Sequence, residues 1–128
     1  MLNNYKPYAY MRVVVPLDEN RGWDSKISDE FGHAPYFALV DGDSLTIVEG
    51  PKVITGRGPR WAELYTKLKP DVVITKEIGK PAYAAFRQKG VTVYYADAKT
   101  LREAVEKWKR GELREFPEEL AHEPHHEH

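Results

Sequence analysis

The run Ser28-Asp29-Glu30-Phe31-Gly32-His33-Ala34-Pro35-Tyr36-Phe37 gathers reactive and shape-setting residues in one polar loop that leads into a strand. His33 carries an imidazole that, when neutral, can coordinate a metal through one nitrogen. Phe31 suits a core plug, and Gly32 lets the backbone turn or approach a ligand. Downstream, Gly56-Arg57-Gly58-Pro59 sets backbone N–H groups and a guanidinium ahead of a helix start, where anions are favoured. That loop lacks the spacing and lysine of a phosphate loop, so a connection needing glycine dihedrals stands beside the anion reading. Arg57 is the first expected anion contact and Arg60, in the first helical turn, the second. Thr75-Lys76-Glu77-Ile78-Gly79 is a third glycine-bearing loop; Gly79 reads as a tight helix–strand contact, and Lys76 and Glu77 as solvated charges. At the end of the chain, His122, His125, His126 and His128 alternate with carboxylates, a set able to bind Ni²⁺, Zn²⁺ or Cu²⁺. Pro124 and a loose chain leave those ligands unorganised, and a solvated terminus is the competing reading.

The elements that must position these loops follow from periodicity. Met11 to Leu17 is a short β-branched run ending near a proline and reads as a buried strand. Tyr36 to Val40 and Leu45 to Glu49 are two more strands, joined by the turn chemistry of Asp41-Gly42-Asp43-Ser44 and hence antiparallel. Trp61, Leu64, Tyr65 and Leu68 recur on one helical face after Pro59. Asp71 to Thr75 is a fourth strand and Lys80 to Lys89 a second helix that Gly90 stops, with Ala82, Ala85 and Phe86 inward. Val91 to Ala96 is a fifth strand. Thr100 with Glu103 forms a capping box for a third helix whose apolar side is Leu101, Ala104, Val105 and Trp108.

The order β-β-β-α-β-α-β-α predicts an α/β fold of three layers. A mixed five-stranded sheet, strand order 3-2-1-4-5, lies between three helices, with right-handed parallel crossovers. Strands 1, 4 and 5 then end at one edge, so the loops spanning residues 18–35, 50–59 and 75–81 share one rim. Strands 1 and 4 have diverging connections and form the switch point where open α/β sheets hold ligands.

Composition narrows the functional classes. The 128 residues are 41% hydrophobic and 30% charged, with no apolar run long enough to span a membrane. Without a secretory-type leader, the cytoplasm is the expected compartment. No cysteine is present, which removes disulfides, thiolate metal sites and cysteine nucleophiles together. Residues 1–110 carry 18 Lys+Arg against 14 Asp+Glu, and residues 111–128 one Arg against six Glu. A body so mildly basic does not call for nucleic acid. Three Asn and one Gln beside abundant Lys and Glu hint at a thermophilic source. The expected organisation is an extension over 1–10, an α/β domain over 11–110 and a flexible acidic, His-rich tail over 111–128.

Taken in order, several segments resemble the dinitrogenase iron–molybdenum cofactor biosynthesis family. They are Val13-Val14-Val15, Ile27 to Phe37, Gly56-Arg57-Gly58, Asp71 to Ile74, Ile78-Gly79 with Ala82, and Gly90 to Tyr94. The resemblance spans about Met11 to Arg110 and implies a ribonuclease H-like fold. It also implies a small binding or carrier protein for an iron–sulfur or iron–molybdenum-type cluster, with cluster-assembly proteins as partners. Members tied to nitrogenase place a histidine immediately before Phe-Gly; Glu30 stands there here, so the likeness is to members outside nitrogen fixation.

The candidate cofactor-binding residues are therefore Glu30, Gly32, His33, Gly56, Arg57, Gly58 and Gly79. His122, His125, His126 and His128 form a separate candidate metal site. The leading expectation is a non-catalytic module that takes a metallocluster or small anion at the rim, without nucleic acid or membrane. An adaptor using the His-rich tail or exposed Trp23, Trp61, Tyr65 and Tyr83 is the alternative. A ribonuclease H-like hydrolase is the weaker one. Two-metal chemistry needs converging carboxylates, and only Asp18, Glu63 and a misplaced Asp71 are on offer.

Overall fold

Five strands and three helices follow one another in the computed structural model, which describes residues 10–51 and 59–122. The strands are β1 (Arg12–Leu17), β2 (Tyr36–Asp41), β3 (Ser44–Glu49), β4 (Val72–Thr75) and β5 (Thr92–Tyr95). The helices are α1 (Arg60–Leu68), α2 (Lys80–Gln88) and α3 (Leu101–Lys109). The sheet order is β3-β2-β1-β4-β5, with β1 antiparallel to β2 and parallel to β4, as the element order requires. No helix among the described residues is long and apolar enough to cross a membrane.

Alternation along the central strands splits the core into two layers. Val13 and Val15 of β1 and Val72 and Ile74 of β4 pack with Leu101, Ala104, Val105 and Trp108 of α3. Val14 and Val73 point the other way, to Leu64 and Leu68 of α1 and Phe86 of α2. Both faces of β1 are thus covered, which is why its sequence is a continuous apolar run rather than an alternating one. Thr100 caps α3 by accepting from the Glu103 N–H (3.3 Å), and Glu103 Oε1 accepts from the Lys99 N–H (3.0 Å).

Pro16 decides where the sheet opens. Arg12 directs its amide and carbonyl to Asp71 at the foot of β4. By strand alternation Pro16 turns the same way, yet it has no N–H to give. The β1–β4 register accordingly covers only Val13–Val72 and Val14–Val73. The Pro16 carbonyl accepts instead from Ser28 N–H (2.9 Å), which brings the 18–35 loop into the gap.

The segment after Gly111 corrects the expectation of a loose tail as far as His122. Leu113, Phe116 and Ala121 are buried, and a 3₁₀ turn covers Glu118–Leu120. Glu115 bridges Tyr94 along the β5 edge: Tyr95 N–H donates to the Arg114 carbonyl (3.0 Å) and Phe116 N–H to the Val93 carbonyl (2.8 Å). The acidic composition concealed three apolar residues spaced to cover an open sheet edge, and burying them outweighs the solvation of the glutamates around them.

Candidate functional site

A cavity of about 740 Å³ opens at the rim where β1, β4 and β5 end, within the range of small-ligand sites. Of the candidate cofactor-binding residues, Glu30, Gly32, His33 and Gly79 line it, and so does His122, expected instead in a separate metal site. Gly56, Arg57 and Gly58, and likewise His125, His126 and His128, lie outside the described residues.

One wall is the 28–34 loop. Ser28 is buried and shapes its turn, accepting from Glu30 N–H (3.2 Å) and donating to the Glu30 carbonyl (3.1 Å). Phe31 is buried too, edge-on to Phe37 (5.2 Å between ring centres) and to Phe86 (5.6 Å). The Phe31 amide donates to the Glu77 carbonyl (3.2 Å), tying this loop to the one after β4. Phe31 thus plugs the core, while its neighbours Glu30, Gly32 and His33 stay exposed.

His33 Nδ1 lies 2.9 Å from Glu30 Oε1. A carboxylate only accepts, so the ring proton sits on Nδ1 and Nε2 keeps the lone pair of the neutral imidazole. The Glu30 side chain therefore positions His33.

Arg60 holds this wall from behind. Its Nη1 donates to the Gly32 carbonyl, and its Nη2 to the Ala34 carbonyl at 2.7 Å. The guanidinium carbon lies 5.3 Å from the centre of the Phe37 ring, and Nε is buried with no hydrogen-bond partner among the described residues. Burial lowers the Arg60 pKa, against the pull of the Glu63 charge. The residue still lines the cavity and brings positive charge to it. Gly50 is what leaves room for it: a Cβ there would overlap Arg60 Nη2 and lie 2.5 Å from the Ala34 carbonyl oxygen.

The opposite wall includes Leu120, which sequence reasoning did not select, and His122, which it assigned to a separate metal site. Leu120 and His122 reach the cavity beside Gly79, Pro81, Ala82 and Tyr95. His122 N–H donates to the Ile78 carbonyl (3.1 Å), and Lys80 N–H to the His122 carbonyl (2.7 Å). Phe116 anchors this stretch between Tyr83 (6.1 Å) and Tyr95 (6.2 Å). Gly79 is not sterically required: a Cβ there would meet the His122 ring at 3.7 Å, an ordinary contact. Lys76, read from sequence as solvated, is half-buried at the cavity and lies 3.7 Å from Asp29.

Other expectations can be placed as well. Trp23, Trp61, Tyr65 and Tyr83 are half-buried and pack against the core rather than standing out as anchors. Asp71 lies at the foot of β4, away from the rim, where it accepts from the Arg12 N–H (2.9 Å). No group of three or more His, Asp or Glu among the described residues is arranged to hold a metal ion.

The family model described as dinitrogenase iron–molybdenum cofactor matches residues 11–111. An uncharacterised protein of Methanocaldococcus jannaschii is 27% identical over 114 residues, covering 83% of this chain and 92% of its own length. The solution structure of a Thermotoga protein, described as a candidate NifB protein, superposes with a TM-score of 0.68 at 28% identity. It covers 82% of this chain and 92% of that one. The apo form of the orange protein of Desulfovibrio gigas superposes with a TM-score of 0.72 at 23% identity, over 84% and 93% of the two chains, a likeness of fold.

Proposed function

The chain belongs to the dinitrogenase iron–molybdenum cofactor family, and on that premise we propose that it is a small non-catalytic carrier of an iron–sulfur-type cluster or related anion, held in the rim cavity. The observation that carries this reading is the cavity itself: aromatic and proline surfaces from Phe31, Pro59, Trp61, Pro81 and Tyr95, with the cations Arg60 and Lys76 beside the carboxylates of Glu30 and Glu77 among the described residues. A sulfide-rich cluster is a bulky, soft anion that is weakly hydrated, and such a lining accepts it at low desolvation cost.

The donor set fits a carrier better than a resident cluster. Fixed iron–sulfur centres are held by several cysteine thiolates, and this chain has none. His33, with Nε2 oriented by Glu30, offers one exchangeable ligand at the mouth. A cargo held by shape, charge and one imidazole can be handed on to an assembly partner.

The test is an anaerobic titration of the ¹⁵N-labelled protein with a synthetic four-iron, four-sulfur cluster carrying exchangeable thiolates. Saturable shifts are expected at the amides of Phe31, Gly32, His33 and Gly79. Shifts only at His125, His126 and His128, or no saturation, would remove the rim as the cargo site.

A further inference from the structure

We propose that residues 112–122 belong to the ligand site and make it select an anion with an apolar, weakly hydrated face over a compact, strongly hydrated one. This deepens the reading of the rim cavity as a binding site, rests on it, and names the ligand class.

The segment lies beyond residues 11–111 that the family model matches, yet it supplies two residues of the cavity wall, Leu120 and His122. It also changes what α2 can offer. The N-terminus of a nine-residue helix ordinarily presents backbone N–H groups to an anion. Here the first, on Lys80, is spent on the His122 carbonyl at 2.7 Å, and the second position is Pro81, which has no N–H. A compact oxyanion approaching this end of α2 finds no N–H to accept from at the first two positions.

Leu120 is the complementary half of the device. It is 50% exposed, and of the large hydrophobic side chains described only it and Tyr10 are so open. A lone exposed leucine on a convex surface needs no explanation. This one faces a cavity whose other side carries Phe31 and Trp61. Apolar surface on both sides, with the cations Arg60 and Lys76 beside the carboxylates of Glu30 and Glu77, suits a ligand that is poorly hydrated over most of its area and carries its negative charge locally.

Two probes separate these chemistries while sharing an anionic sulfur oxyacid head: 8-anilinonaphthalene-1-sulfonate and inorganic sulfate. Each is titrated into the ¹⁵N-labelled full chain. The aromatic sulfonate should saturably shift the amides of Gly32, Gly79 and Leu120, and sulfate at the same concentration should leave them in place. In Leu120→Glu the sulfonate should bind about tenfold more weakly, because a carboxylate then lines the wall. The melting temperature should hold, since that side chain is exposed. His122→Ala should weaken it by about threefold, removing the ring but not the backbone bridge. Unchanged sulfonate affinity in both variants, or equal shifts from sulfate, overturns the selecting role of the segment while leaving the cavity as a site. No saturable shift at Gly32 or Gly79 from either probe overturns the cavity reading and this proposal with it.

Discussion

The two walls of the rim cavity are held by different balances of side-chain and backbone bonds. On the Phe31 side, side chains hold backbone: Arg60 binds the Gly32 and Ala34 carbonyls, and Ser28 binds both polar groups of Glu30. On the His122 side, backbone holds backbone, through the bonds around Gly79 and along the β5 edge. The first wall carries charge and is fixed by particular residue types. The second is largely apolar, and its main side-chain anchor is Phe116. A wall built from side chains concentrates its sensitivity in a few positions, whereas a wall built from main chain spreads it.

The sharpest way to break that contrast is to remove one anchor from each. Phe31→Ala deletes a ring packed on both Phe37 and Phe86 and should cost about 3–5 kcal/mol of global stability in urea denaturation. Phe116→Ala should cost less globally, because the 112–122 segment can detach while the sheet stays folded. Native-state hydrogen exchange should then show the Lys80 and Phe116 amides losing protection together, with the Phe31 amide still protected. Equal global losses would mean that the two walls unfold as one unit.

Arg60 comes next. Arg60→Met keeps much of the volume but leaves the Ala34 carbonyl without its charged donor, a loss of about 1.5–3 kcal/mol. Arg60→Lys restores the charge but not the planar fork that reaches two carbonyls. Binding of the aromatic sulfonate should therefore recover in the lysine variant more than stability does. Parallel recovery of both would show that Arg60 acts at this wall through its charge alone.

How far these walls were legible follows from the same distinction. The sheet order and the shared rim could be read because apolar periodicity and strand alternation report burial directly. Val14 pointing away from Val13 and Val15 is such a case. The Phe31 loop was legible because an aromatic, a glycine and a histidine in one turn are unusual company. The ordering of 112–122 was not, since backbone bridges such as Gly79–His122 require no particular side chain. Leu113, Phe116 and Ala121 were the available signal, outvoted by the glutamates between them. Gly50 escaped notice for another reason: what makes it necessary is a guanidinium that arrives from a helix ten residues later.

The two glycines give the contrast in miniature. Gly50→Ala must displace Arg60 or the Ala34 carbonyl and should cost about 1–2 kcal/mol, by overpacking. Gly79→Ala meets only ordinary contacts at a backbone any residue adopts, φ −74° and ψ 153°. Its unfolding free energy should move by less than about 1 kcal/mol, while the added methyl narrows the cavity beside His122 and weakens sulfonate binding. Urea midpoints and the titration together decide it. A strongly destabilised Gly79→Ala would show that the second wall is as tightly specified as the first.

The smallest effect belongs to a residue on neither wall. Glu103 caps α3, whose apolar side packs on the opposite sheet face, and its pKa is held below the ordinary 4.5 by the hydrogen bond from Lys99 N–H, helped by the Lys107 charge. A carboxylate whose pKa falls on folding contributes stability above its unfolded value, and that contribution is lost as pH drops through the lowered folded value. Glu103→Gln should be slightly less stable than the parent at neutral pH, with the gap closing as the solution is acidified below 4.5. Sulfonate affinity should be the same in both throughout the range where both stay folded. A gap that persists unchanged into acid would show that the side-chain amide fails for steric reasons. A change in affinity would show that the α3 layer reaches the cavity through the sheet, and the two walls would then no longer be the whole of the site.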